Sequence, residues 1–149
     1  MNAQVALRQY GEVKVKAAVA SASSHDLIKM LYEGLLERIA QMKGAIEQAN
    51  IELKNKKVNQ AIAILSGLRE SLDHDSGIEL SGRLDDIYDY VQRRLWQAHI
   101  KNDAEILDEC AALVNEISGA WAEIGSQIYC EYNMYGLGFV FNGGCCFYA

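Results

Sequence analysis

Apolar residues recur along most of this chain at the spacings of one helix face. Leu27, Ile28, Leu31, Leu35, Ile39, Met42 and Ile46 form a first stripe, which predicts a helix running to about Ala49. Val58, Ile62, Leu65, Leu68 and Leu72 form a second. A third helix is predicted over about 78–99. Within it Leu84, Ile87, Tyr88, Val91 and Leu95 share a face, while Asp85, Asp86, Asp89, Gln92, Arg93 and Arg94 cover most of the rest. Tyr90 stands on that polar side. Ile106, Leu107, Cys110, Leu113, Val114, Ile117 and Trp121 make a fourth stripe.

Start and stop chemistry falls between the stripes. Ser23 followed by Asp26 is a weak capping box, and Asn50 suits the start of the second helix. Residues 73–77 read as a break with turn chemistry. Asn102 with Glu105 three residues on is the clearest cap, with Asn102 at the N-cap position. Four amphipathic helices joined by short loops predict an all-α fold, an antiparallel up-down four-helix bundle about 30–37 Å long. Gly34 and Gly44 weaken the first helix and allow a neighbour to approach closely.

The two ends of the chain differ from this frame. Residues 1–20 mix Val5, Tyr10, Val13, Val15 and Val19 with charges and Gly11, and read as an N-terminal arm. From Gly125 onward Glu131 is the only charge, and aromatic, glycine and cysteine residues dominate. Asn142-Gly143 reads locally as a hairpin turn. Three roles are open to this atypical C-terminal tail: packing on the bundle, self-association as a homodimer, or a loosely ordered extension. The expected organisation is an arm at 1–20, a bundle domain at 21–124 and a tail at 125–149.

Composition sharpens the helical reading. The chain holds no proline and no threonine, and half its residues are apolar. A net charge of −6 argues against general nucleic-acid binding, whose phosphates need a basic stripe. Lys54, Lys56 and Lys57 are read as a solvated face. Cys110, Cys130, Cys145 and Cys146 form no C-x-x-C pair, so neither a zinc nor a disulfide framework is expected. No secretory leader and no run of roughly 18 apolar residues is visible, and a cytoplasmic location without membrane insertion is expected.

Candidate chemistry is sparse. None of His25, His74 and His99 follows a glutamate by three residues, as a di-iron bundle requires. No phosphate-binding loop, nucleophile elbow or dinucleotide fingerprint occurs. Histidine-phosphotransfer domains are also four-helix bundles, with a motif close to H-x-L-K-G. His25-Asp-Leu-Ile-Lys29-Met matches it in part, but His25 lies in the first turn of its helix and no glycine follows Lys29. His99 is read as a helix C-terminal dipole partner, and Cys110 as core.

Several ordered stretches carry a more specific likeness: Tyr10; S-A-S-S-H-D-L-I-K-M-L-Y-E-G-L-L at 21–36; L-D-D-I-Y-D-Y-V-Q-R-R-L at 84–95; A-H-I-K-N-D-A-E-I-L-D-E at 98–109; and Trp121. Together they resemble the flagellar secretion chaperone family FliS over about residues 10–123. Ser24 departs from the family's usual proline and Ser21 from its threonine, while the tail has no counterpart. The resemblance implies a cytoplasmic, non-catalytic, cofactor-free chaperone. It would hold the disordered C-terminal segment of flagellin, block premature polymerisation and assist delivery to the flagellar export apparatus. The partner-binding candidates are then Tyr10, Ile28, Leu31, Tyr32, Leu35, Tyr90 and Arg94. Leu31 and Leu35, with Ile87 and Val91, are read first as core. Tyr32, Tyr90 and Arg94 are read equally as surface contacts, with Tyr90 and Arg94 on a docking face. Tyr88 is read as support for the fold.

Overall fold

The computed structural model describes residues 23–74 and 79–135. They form four helices: α1 (Ser24–Glu47), α2 (Ile51–Glu70), α3 (Glu79–Lys101) and α4 (Ala104–Tyr135). Helices α1 and α3 each pack against both α2 and α4, so α1 and α3 lie on a diagonal. Partners run in opposite directions. Lys54, near the start of α2, reaches His99 at the end of α3, whereas Arg69 at the end of α2 meets Asp85 near the start of α3. His25 at the start of α1 likewise meets Trp121, far along α4, and Lys43 meets Asp108.

The four predicted stripes close on one another. Tyr32, Leu35, Ile39 and Met42 of α1 share one buried cluster with Val58, Leu65 and Leu68 of α2. Tyr88, Val91 and Leu95 of α3, with Leu107, Cys110 and Val114 of α4, complete it. Each large side chain so buried contributes about 1.5–3 kcal/mol. Ala45, Ala61 and Ala98 are also buried. The predicted close approach at the glycines is not what the helices use. A Cβ on Gly34 would sit 3.6 Å from Ile64 Cδ1, an ordinary contact, and one on Gly44 would meet nothing within 4 Å.

Two tight links set the helix ends. Helix α1 stops at Glu47 because Ala49 turns left-handed (φ 53°). The Asn50 amide then donates to the Ala45 carbonyl at 2.9 Å, and the Ala49 amide to the Ile46 carbonyl at 3.1 Å. This pattern closes a helix C-terminus. Asn50 Oδ1 next accepts the Leu53 amide at 3.0 Å and starts α2 as expected. Asn102 is the second left-handed residue (φ 52°), and the Asp103 amide donates to the Ala98 carbonyl at 3.2 Å. The cap of α4 is therefore Asp103, whose Oδ1 accepts the Glu105 amide at 3.0 Å, and not Asn102. Asn102 terminates the preceding helix instead. The Ser23 cap is present: its hydroxyl accepts the Asp26 amide and donates to the Asp26 carboxylate at 2.7 Å.

One expectation changes. Lys54 is not solvated: it is 8% exposed, and its Nζ donates to the His99 carbonyl at 3.0 Å and to Asn102 Oδ1 at 2.5 Å. A cation at the negative end of α3 compensates that helix's dipole. Helix α4 runs without interruption through Gly125 to Tyr135. Gly125 costs about 1 kcal/mol relative to alanine, and no proline follows to stop the helix. The 1–20 arm and the turn at Asn142 lie outside the described residues.

Left-handed backbone costs an alanine about 1–2 kcal/mol, and glycine almost nothing. Ala49→Gly should therefore stabilise the chain by about 0.5–1 kcal/mol, after allowance for the looser unfolded chain. Asn102→Gly should bring no such gain, because it removes an acceptor of Lys54. Urea denaturation of the two variants checks this; equal effects would contradict the assignment.

Candidate functional site

Tyr10 lies outside the described residues; the other candidate residues occupy two diagonal helices and two depths. On α1, Ile28 and Leu31 are half-buried against the core, and Leu35 is wholly inside it. Tyr32 is inside as well, 2% exposed, which corrects its reading as a surface contact. Its hydroxyl lies 2.5 Å from that of Tyr88, one donating to the other, with ring centroids 6.5 Å apart. Burial raises the pKa of both phenols, so both remain neutral. Tyr32 could pass for a surface residue because its polar tip is satisfied only by a residue 56 positions away.

On α3 the polar face is more committed than its sequence suggests. Tyr90 is 39% exposed and donates to Glu109 of α4 at 2.5 Å. Arg94 donates to the same carboxylate through Nε (3.1 Å) and Nη2, and to Gln97 through Nη1 (2.7 Å). Tyr90 and Arg94 together hold the Glu109 carboxyl below its usual range, and the Glu109 hydrogen bond raises the Tyr90 phenol. On the other flank Asp85 binds Arg69 of α2 at 2.7 Å, and Asp89 lies between Arg69 (3.6 Å) and Arg93 (3.0 Å). The acids and arginines of this stretch thus tie α3 to both neighbours. Such exposed pairs contribute little stability individually, but they orient the side chains a partner would meet.

The histidines take structural roles. His25 stacks on Trp121 with centroids 5.0 Å apart and planes 8° from parallel. Its Nε2–H donates to the Trp121 carbonyl at 2.7 Å, and the indole Nε1–H donates back to the His25 carbonyl at 3.0 Å. A phosphotransfer histidine needs an exposed, free imidazole nitrogen in mid-helix; His25 is half-buried in the first turn and engaged on both sides. His99 is not a charged dipole partner. Burial, and then the charge of Lys54, lower its pKa, and Lys54 itself fills the dipole role. Burial raises the Cys110 thiol to about 11, leaving it an inert core group.

Other surfaces were not visible in the stripes. Gln41, Gly44, Ala45, Gln48, Leu53 and Lys57 line an open groove of about 360 Å³ between α1 and α2. Leu27, Leu80 and Ile124 are exposed toward one end of the bundle; Ile51, Trp96 and Ile100 are exposed toward the other. The four-residue spacing of Trp96 and Ile100, off the apolar stripe, was the available signal. No helix among the described residues is long and apolar enough to cross a membrane.

The family model described as flagellar protein FliS matches residues 6–128, which span all four helices up to the seventh residue before α4 ends. The chain belongs to the FliS family. It is 44% identical over 121 residues to the flagellar secretion chaperone FliSB of Pseudomonas aeruginosa, covering 81% of this chain and 96% of that one. The flagellar secretion chaperone FliS of Salmonella typhimurium is 37% identical over 122 residues, covering 81% and 90%. The Bacillus subtilis FliS is 38% identical over 106 residues, covering 71% and 78%. All candidate residues, Tyr10 included, fall inside the matched FliS region, and residues 129–149 fall beyond it.

The tyrosine pair offers a direct check of the buried geometry. Tyr32→Phe and Tyr88→Phe should each destabilise the protein by about 1–2 kcal/mol, because each leaves a buried hydroxyl unpaired. The double variant should cost no more than either single one, giving a coupling of about 1–2 kcal/mol. Strictly additive costs in denaturant titrations would contradict the bond.

Proposed function

We propose that this chain is a cytoplasmic export chaperone that holds the disordered C-terminal segment of flagellin. Holding it would prevent premature polymerisation and present the subunit to the flagellar export apparatus. The family match across all four helices carries the reading. The work is binding, without catalysis or a cofactor. A segment that folds on binding can wrap a large surface at modest affinity. That suits the placement of the candidate residues. Ile28 and Leu31 lie on α1, Tyr90 and Arg94 on the diagonal α3, so an extended client passing around the bundle could touch both sets where a single groove could not. Tyr32 and Leu35 then act from beneath, by holding the α1 surface in place. In domain terms we read an N-terminal arm at 1–20, an up-down antiparallel chaperone bundle at 21–124 and an atypical tail from 125. Tyr10 is read as a further contact of the client.

Co-purification tests this. The chain should retain flagellin from the same cell, and deleting flagellin's C-terminal segment should abolish retention. Failure to recover flagellin, or retention of the truncated form, would contradict the proposal. The same assay with Tyr10→Ala should show weaker capture; unchanged capture would remove Tyr10 from the client contacts.

A further inference from the structure

Beyond the surface proposed for the client, one edge of the bundle combines exposed apolar groups with unbalanced positive charge. Lys54 ties the first turns of α2 to the end of α3 through His99 and Asn102. Around that tie stand Ile51 (69% exposed), Ile100 (75%) and Trp96 (39%), with the Trp96 ring edge-on to that of His99 at 5.6 Å. On this side residues 51–57 carry Lys54, Lys56 and Lys57 against the single carboxylate Glu52, and α3 adds Arg93, in a chain of net charge −6. Arg93 pairs with Asp89. Lys56 is exposed and pairs with no carboxylate among the described residues. The free amides in the first turn of α2 add to the positive potential. Asp103, Glu105 and Glu109 lie on the α4 side, so an anionic partner is directed to the α2–α3 edge.

We propose that this edge docks an acidic protein segment with apolar anchors, Ile51, Trp96 and Ile100 receiving the anchors while Lys56 and Arg93 face its carboxylates. A short segment fits better than a second copy: three side chains fall well short of the roughly 800 Å² per partner of a stable interface. The chain's own segments outside the described residues join the bundle toward its other end, at Ser23, between His74 and Glu79, and after Tyr135.

The test uses the full chain and fluorescence anisotropy of a labelled amphipathic peptide with leucines at helical spacing and glutamates between them. This peptide should bind, and added salt should weaken it. The same peptide with lysine for glutamate should not bind. Ile51→Glu and Ile100→Glu should each reduce affinity at least about tenfold with an unchanged thermal melt, since both side chains are exposed. The proposal is overturned if neither peptide binds, if both bind alike, or if the variants bind like the parent. Capture of the chain by phosphatidylglycerol vesicles with no peptide binding would assign the edge to a bilayer. A dimer in sedimentation equilibrium that Ile100→Glu dissolves would assign it to a second copy.

Discussion

Tyr32 and Tyr88 meet at the centre of the bundle from the two helices that do not principally pack on each other. Two nearly inaccessible hydroxyls can be tolerated there only as a pair, because either one alone would lose its hydrogen bond to water without replacement. The pair therefore constrains both the rotation and the register of α1 and α3. Once those are set, Leu35, Val91 and Leu95 point inward and the α2 and α4 stripes close over them. The apolar burial supplies most of the stability, while the hydroxyl pair selects one arrangement among the many that leucine-rich stripes would permit.

A closed core moves partner recognition to the outside, and the outside is organised by connections between neighbouring helices. Glu109 gathers Tyr90 and Arg94 at the α3–α4 seam, while Arg69 gathers Asp85 and Asp89 at the α2–α3 seam. These contacts let a small bundle present oriented aromatic and charged groups on its surface. The ends have their own anchors. Lys54 closes the turn end, and the reciprocal His25–Trp121 pair fixes the first turn of α1 to α4 at the other. FliS-family membership gives that rigid exterior its use, as a scaffold around which a secretion client can be held.

The four helices were legible because burial of one face leaves a periodic trace, and Leu35, Val91 and Leu107 all lie where that trace puts them. Asn50 was legible for the same reason: a cap is a local event. What the chain order hides is chemistry between distant residues. Tyr32 looks amphipathic until Tyr88 supplies its partner, and Lys54 looks like one of three solvated lysines until α3 delivers a carbonyl and Asn102 to it. Asn102 showed cap chemistry at the right place, but its left-handed backbone gave the capping role to Asp103. Composition changes at 125 while nothing there stops the helix, so α4 runs on to Tyr135. At the candidate site Ile28, Tyr90 and Arg94 keep at least part of their surface exposed, whereas depth separates Tyr32 and Leu35 from any partner in this conformation.

On the proposed reading the bundle receives its client on the outside without opening. Hydrogen exchange of the full chain, alone and with flagellin's C-terminal segment, addresses it most directly. Amides around Leu35, Leu65, Leu95 and Leu107 should keep the same slow exchange in both states, with added protection only along outward-facing turns of α1 and α3. Faster exchange at those four core positions on adding the segment would show that the client enters the core, and would contradict the account.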